Sequence, residues 1–358
     1  MPEAGDLTRR PDRRHNGGVS EDIDELSDVD VLGDPDVLGD EWSRRTFNLR
    51  QDPLARKTGI APVATLVSQR DVDPERVGVL HVHGFVDYFF HSHLARPLAD
   101  AGYQLYGLDL RDCGRSYRPG RPIHSIDSLS RYTEEIDRAV REIARVHGRV
   151  VVVGHSTGGL TAALWADARP YLVARGVLAA VVLNSPWLDL RGSWALKNLG
   201  SRAVGALGRV APGVVVTHLA EHYGRALHRS GGGEWDYDLA WKSYDRPPVT
   251  AGFVRTVHRA QLRVAQGLDV SCPVLVLASA ASGPGDHTHD RLVTSDCVLD
   301  VDDMERLAPR IGPDVTFRQI EGGAHDLALS PEPARDRYLA EVIDFLDTRV
   351  SRTSPSRA

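Results

Sequence analysis

Beyond about residue 42 the chain alternates short, nearly uninterrupted apolar runs with stretches of helical spacing. The runs fall at 61–68, 77–83, 104–110, 150–154, 179–184, 274–278 and 315–320. A run such as Val150-Val-Val-Val-Gly154 leaves no polar face, which predicts strands covered on both sides. Helical patterns separate them, notably at 125–147, 157–168 and 334–350. This alternation predicts an α/β fold whose sheet is mostly parallel and doubly wound. One interval breaks the rhythm. About 90 residues separate 184 from 274, far more than a crossover needs. They predict a helical cap at 189–265, inserted over the C-terminal edge of the sheet, with the core formed by 36–188 and 266–351.

The ends read differently. Residues 1–35 carry many Asp, Glu, Gly and Arg and few large apolar groups, too little surface to offset the entropy of ordering. A disordered acidic tail is expected there, and disorder again at 352–358. The repeated Asp30-Val-Leu-Gly-Asp34 and Asp36-Val-Leu-Gly-Asp40 fail as a calcium loop. Counting from Asp28, the fifth and twelfth positions are Leu32 and Gly39, where an oxygen ligand and a Glu are required.

Composition narrows the class. At 42% hydrophobic and 26% charged residues the chain reads as a soluble globular protein. A net charge of -6 with no Lys/Arg block excludes nucleic acid as a partner. Cys113, Cys272 and Cys297 fit no metal-site spacing and imply reduced thiols in the cytoplasm. The N-terminus lacks the apolar core of a secretion signal, and no run approaches the roughly 20 residues that span a bilayer. Stable membrane insertion is therefore not expected, which leaves room only for transient contact with lipid.

The chemistry concentrates after the fourth apolar run. Gly154-His-Ser156-Thr-Gly158 is a G-x-S-x-G turn between a strand and a helix, the setting of a nucleophile elbow. Its glycines suit a strained turn in which larger side chains would strike neighbouring backbone. The turn lifts the Ser156 hydroxyl above the sheet, and the following helix N-terminus offers N–H groups to a developing oxyanion. Dehalogenase and epoxide hydrolase chemistry needs Asp at that position and is excluded.

Together with His81-Val-His83-Gly84-Phe85 and Asp109-Leu-Arg-Asp-Cys-Gly-Arg-Ser116, this elbow resembles the monoacylglycerol lipase, lysophospholipase and serine aminopeptidase group of α/β-hydrolases. The resemblance spans roughly residues 40–350 and is weakest in the cap. It implies oxyanion donors at the N–H groups of Phe85 and Thr157. It places the catalytic base at His325, in Glu321-Gly-Gly-Ala-His325 after the last strand. It places the acid at Asp300, the second Asp of Asp296-Cys-Val-Leu-Asp300, with Asp296 and Asp189 as alternatives. The segment 282–294 interrupts the family register just before that acid. The His81-x-His83 pair lacks the further ligands of a metallohydrolase, so neither metal nor cofactor is expected.

These roles imply an acyl-enzyme mechanism on small-molecule acyl esters, probed through an apolar channel. Tyr88-Phe89-Phe90 and the cap aromatics Trp187, Trp194, Tyr223, Trp235, Tyr237, Trp241, Tyr244 and Phe253 supply its material. Most of these are expected to pack the cap onto the sheet. Two other readings stand beside it. A proline-iminopeptidase type of peptidase would use Glu234, Asp236 and Asp238 to hold a substrate amine. A non-catalytic ligand-binding protein would keep the fold without the reaction.

Overall fold

The computed structural model describes residues 33–191 and 201–350. In chain order the elements are β1 (Asp34–Asp36), β2 (Gly39–Asn48), α1 (Pro53–Thr58), β3 (Val63–Gln69), β4 (Val77–Val82), α2 (Ala95–Asp100), β5 (Tyr103–Asp109), α3 (Tyr132–His147), β6 (Val150–His155), α4 (Thr157–Asp167), α5 (Pro170–Ala174) and β7 (Leu178–Asn184). The chain continues through α6 (Ser201–Val210), β8 (Val215–His218), α7 (His222–Leu227), β9 (Pro248–Thr250), α8 (Ala251–Gln266), β10 (Val274–Ser279), α9 (Val301–Leu307), β11 (Val315–Ile320) and α10 (Ala334–Arg349). Every expected strand is present.

The nine-stranded sheet runs β1-β2-β3-β5-β4-β6-β7-β10-β11. Pairings from β5 through β11 are parallel, while β1, β2 and β3 pair antiparallel at one edge. The period of two along a strand shows in β6. Val150 and Val152 pack with α3, α4 and α8, whereas Val151 and Val153 pack with α2 and α10. Both faces are therefore dry, which is why these strands read as continuous apolar runs.

Three boundaries differ from the sequence expectation. Strand β1 begins at Asp34, inside the segment expected to be tail, because the buried Asp36 carboxylate takes Arg115 Nε and Nη2 at 2.6 and 2.7 Å. Strand β2, second from the edge, escaped notice because Arg44, Arg45 and Asn48 break its apolar character. The cap gives way to core earlier than residue 265. Phe253, Val257 and Val264 of α8 join the apolar layer against α4, so the inserted part is essentially α6, α7 and the β8–β9 ribbon. The predicted helix at 125–147 starts in earnest at Tyr132.

Residues 1–32 and 351–358, with the cap residue Trp194, lie outside the described residues. Among the described residues no helix is long and apolar enough to cross a membrane. Cys113, Cys272 and Cys297 are buried free thiols.

Candidate active site

Ser156 stands between the end of β6 and the start of α4 with φ 52 and ψ -116. Such a conformation costs a non-glycine residue about 1–3 kcal/mol and persists only where its surroundings impose it. The surroundings here are backbone. A Cβ on Gly154 would lie 2.6 Å from the Gly158 carbonyl oxygen. One on Gly158 would lie 2.3 and 2.4 Å from the carbonyl oxygens of His83 and Val82. Only glycines let α4 start this close to β4 and β6. The Ser156 amide also donates to Asn184 O at 2.9 Å, which fixes the turn to β7.

The loop after β11 brings His325 to the hydroxyl. His325 Nε2 lies 3.1 Å from Ser156 Oγ, and its Nδ1 lies 2.9 Å from Asp296 Oδ2. Asp296 is fully buried, and its other oxygen accepts the N–H groups of Val298 and Leu299 at 2.9 and 2.7 Å. Burial alone would raise this carboxyl. The His325 contact and the two amides outweigh it and hold the group below its ordinary value.

Asp300, the residue expected to carry this role, does not reach His325. Its carboxylate caps α9 by accepting the Asp302 N–H at 3.2 Å. The reason lies in how the inserted segment closes. Asp296 N–H donates to Ala281 O and Gly283 N–H donates to Asp296 O, both at 2.8 Å. The chain between them loops out and returns, so Asp296 stands where the residue following the strand would stand. Four residues later a helix has begun. Asp189, the other alternative, pairs with Arg306 at 2.8 Å near the surface.

Phe85 and Thr157 both line the cavity at Ser156. Neither backbone N–H donates to another described residue, so both remain available to an oxyanion. Thr157 opens α4, where amide groups have no intrahelical acceptor. Phe85 follows Gly84, whose added Cβ would lie 3.3 Å from Ser156 Cβ. The turn is fixed from behind by His83, whose Nε2 accepts the Leu110 N–H at 3.1 Å while Nδ1 donates to Gly84 O at 2.8 Å. His83 is thus a strut of the turn, and His81 stacks on His91 with ring centroids 4.5 Å apart. Val86, next in line, has φ 51, an unfavourable conformation for a β-branched residue.

Beneath these groups lies a buried polar cluster that sequence reasoning missed. Asp87 Oδ1 accepts the Tyr88 N–H at 2.9 Å and the cap ammonium of Lys242 at 2.6 Å. Burial would raise the Asp87 carboxyl, but Lys242 and His155 hold it far below the ordinary carboxylate value. Asp326 accepts from Asn184 Nδ2 at 2.8 Å and contacts His91 Nε2 at 2.9 Å. His155 Nδ1 lies 3.6 Å from Asp87 and 3.8 Å from Asp326. Tyr223 of α7 accepts the Asp326 N–H at 2.9 Å and sets its ring edge-on to His325. The adjacency of Asp326 to His325 and of His155 to Ser156 was the available signal.

A cavity of about 750 Å³ opens above Ser156. Phe85, Trp187, Leu190, Leu219, Val298 and Leu299 give it apolar walls, while Lys242, Tyr223, Tyr237 and Tyr244 form a polar side. The cap acids do not face it. Glu234 pairs with Arg335, Asp236 with Arg229, and Asp238 accepts the Ala240 N–H.

Comparison with known proteins bears on the family and the fold. Residues 73–332 match a family model described as serine aminopeptidase, S33. A monoacylglycerol lipase of Mycolicibacterium smegmatis is 32% identical over 152 residues, covering 42% of this chain and 50% of that protein. The chain thus spans about half the length of the curated relative it matches. Among solved structures, Paleococcus ferrophilus monoacylglycerol lipase superposes with a TM-score of 0.58 at 21% identity, covering 86% of this chain and 99% of that one. A soluble variant of Saccharomyces cerevisiae monoglyceride lipase gives 0.61 at 15% identity, covering 82% and 93%. These likenesses establish the α/β-hydrolase fold.

Proposed function

The chain belongs to the S33 serine aminopeptidase family of α/β-hydrolases, and on that premise we propose that it is a serine hydrolase cleaving lipid-like carboxylic esters. The observation that carries the reading is the continuous chain Ser156–His325–Asp296 at the floor of an apolar cavity. In this reading Ser156 Oγ attacks the acyl carbonyl as His325 Nε2 takes its proton. Asp296 holds the imidazole by its Nδ1–H and balances the charge it acquires. The N–H groups of Phe85 and Thr157 bind the tetrahedral oxyanion, each contributing about 3 kcal/mol to the barrier reduction. His325 then returns the proton to the departing alkoxide, and a water activated by the same nitrogen releases the acid.

Ester specificity is favoured over aminopeptidase specificity by the charges in the cavity. A substrate ammonium needs an unpaired carboxylate. Glu234, Asp236 and Asp238, the residues expected to supply one, are turned to other partners. Two acids do line the cavity: Asp87 is already neutralised by Lys242, and Asp286 lies at the exposed rim with its carboxylate 2.8 Å from His287 Nδ1. The lipase names of the relatives favour a monoacylglycerol or lysophospholipid type of substrate, with the apolar wall receiving the acyl chain.

A chain-length series tests this. Each buried methylene adds about 0.8 kcal/mol of binding, so kcat/KM for p-nitrophenyl esters is expected to rise from acetyl toward octanoyl. Labelling by a fluorophosphonate is expected to vanish in Ser156→Ala. Faster cleavage of aminoacyl anilides than of any ester would reverse the assignment.

A further inference from the structure

Three consecutive features of the oxyanion turn depend on the cap. Asp87 is held by Lys242, the Tyr88 hydroxyl accepts the Asp238 N–H at 2.8 Å, and Phe90 packs on Tyr237 with ring centroids 5.1 Å apart. Val86, between Phe85 and Asp87, is the one β-branched residue with positive φ among the described residues. Its φ sets how the cap-held residues from Asp87 onward join the Phe85–Val86 peptide, one peptide beyond the unit that carries the Phe85 N–H, and nothing intrinsic to valine favours it. The grip on the residue after it therefore has to supply the constraint.

We propose that Lys242 is a positioning residue that acts through Asp87 to hold the strained Val86 turn, so that docking of the cap segment and formation of the oxyanion site are a single event. The inference rests on the proposed function, since it assigns the Phe85 N–H to the oxyanion. The ammonium is held from several sides. Besides Asp87 it sits over the rings of Phe90 and Tyr237, at 5.4 and 5.6 Å from their centroids. It borders the cavity, but its charge is paired with Asp87. Asp87, His155 and Asp326 bring possible ligand atoms within 4.8 Å of one another, the spacing of a cation site. Lys242 already delivers a positive charge to that cluster, which favours an internal ion pair over a bound metal. The Asp87 carboxylate in turn grips the backbone, through the Tyr88 N–H, so a charge placed by the cap is converted into a backbone conformation beside Ser156.

The test is steady-state hydrolysis of p-nitrophenyl butyrate by the full chain and a set of variants, each checked by thermal melting. Lys242→Met is expected to lower kcat about tenfold to a hundredfold while KM moves less than about threefold, the pattern of a weakened transition-state contact. Removing Lys242 alone leaves a buried, unpaired carboxylate and endangers the fold. The double variant Asp87→Asn/Lys242→Met removes both charges. It is expected to melt near the wild type yet keep the kcat loss. Adding Val86→Gly to Lys242→Met relieves the strain and is expected to recover roughly fivefold of the lost kcat, which a merely structural role for Lys242 would not produce. A folded double variant with kcat within about twofold of wild type, a loss carried wholly by KM, or no recovery with Val86→Gly each overturns the inference. Absence of ester turnover in the wild type overturns the proposed function first, and this inference with it.

Discussion

At the nucleophile turn ten consecutive residues, from Val150 to Gly159, complete the geometry. The strand ends, Ser156 takes φ 52, and α4 begins at Thr157, with Gly154 and Gly158 admitting backbone to within contact of backbone. The acid loop is built otherwise. Asp296 reaches His325 only because the chain leaves β10, travels out, and closes again on Ala281 and Gly283. There the carboxylate itself secures the loop by accepting two amides, from Val298 and Leu299. Of the two groups proposed to react, Ser156 is placed by short-range sterics. The other is placed by loop closure and then fastened by its own hydrogen bonds. The first arrangement tolerates no change in backbone volume; the second tolerates none in the chemistry of one side chain.

The largest effect expected from this contrast is at Asp296. Asp296→Asn keeps an oxygen for the Val298 and Leu299 amides but cannot accept the His325 Nδ1–H without turning its amide. We expect kcat for ester hydrolysis to fall by about 10⁴-fold, the loss seen when a serine-hydrolase triad is deprived of its acid, with little change in melting temperature. Asp296→Ala abandons the two amides as well, and its melting temperature should drop below that of the Asn variant. Equal stability of the two would mean that the carboxylate does not fasten the loop.

Gly158→Ala probes the other side of the comparison. The added methyl would meet two backbone oxygens of β4 and the residue after it, at 2.3 and 2.4 Å. Neither can rotate away. A loss of about 3 kcal/mol in urea denaturation is expected, at the upper end of overpacking costs, together with slower fluorophosphonate labelling as Ser156 is displaced. A change below about 1 kcal/mol would show that α4 can slide, and that backbone contact is not what holds the elbow.

The same contrast explains what could be read without the structure. The turn at Ser156 is legible from a strand end and glycines within a few residues, where local sterics leave few choices, whereas Thr157 and His325 were expected from the family resemblance. Asp296 was passed over for Asp300 because nothing in 282–294 announces that the loop closes on itself; hydrogen bonds from residue 281 to residue 296 have no local pattern. The contacts of Lys242 and of the Tyr223 hydroxyl were invisible for a related reason. The cap has no apolar period tying it to the sheet, so their approach to Asp87 and Asp326 depends on tertiary docking alone. Strand β2 was hidden by its arginines, and β1 by beginning at Asp34, inside a segment whose composition suggested only solvent.

The smallest expected effect separates Asp300 from Asp296. Asp300 accepts the Asp302 N–H and so satisfies one of the open donors at the start of α9. Replacing an Asp cap by Ala costs about 1 kcal/mol, whereas Asn caps a helix nearly as well as Asp. Asp300→Ala should therefore lower stability by about that amount, and Asp300→Asn should leave it almost unchanged. Turnover should stay within about threefold of wild type in both, because the imidazole keeps its partner on Asp296. The two variants distinguish a capping carboxylate from a reacting one, since only the capping role is restored by an amide. A collapse of kcat in Asp300→Asn, with stability intact, would move the acid four residues along the chain and remove the contrast between the two loops.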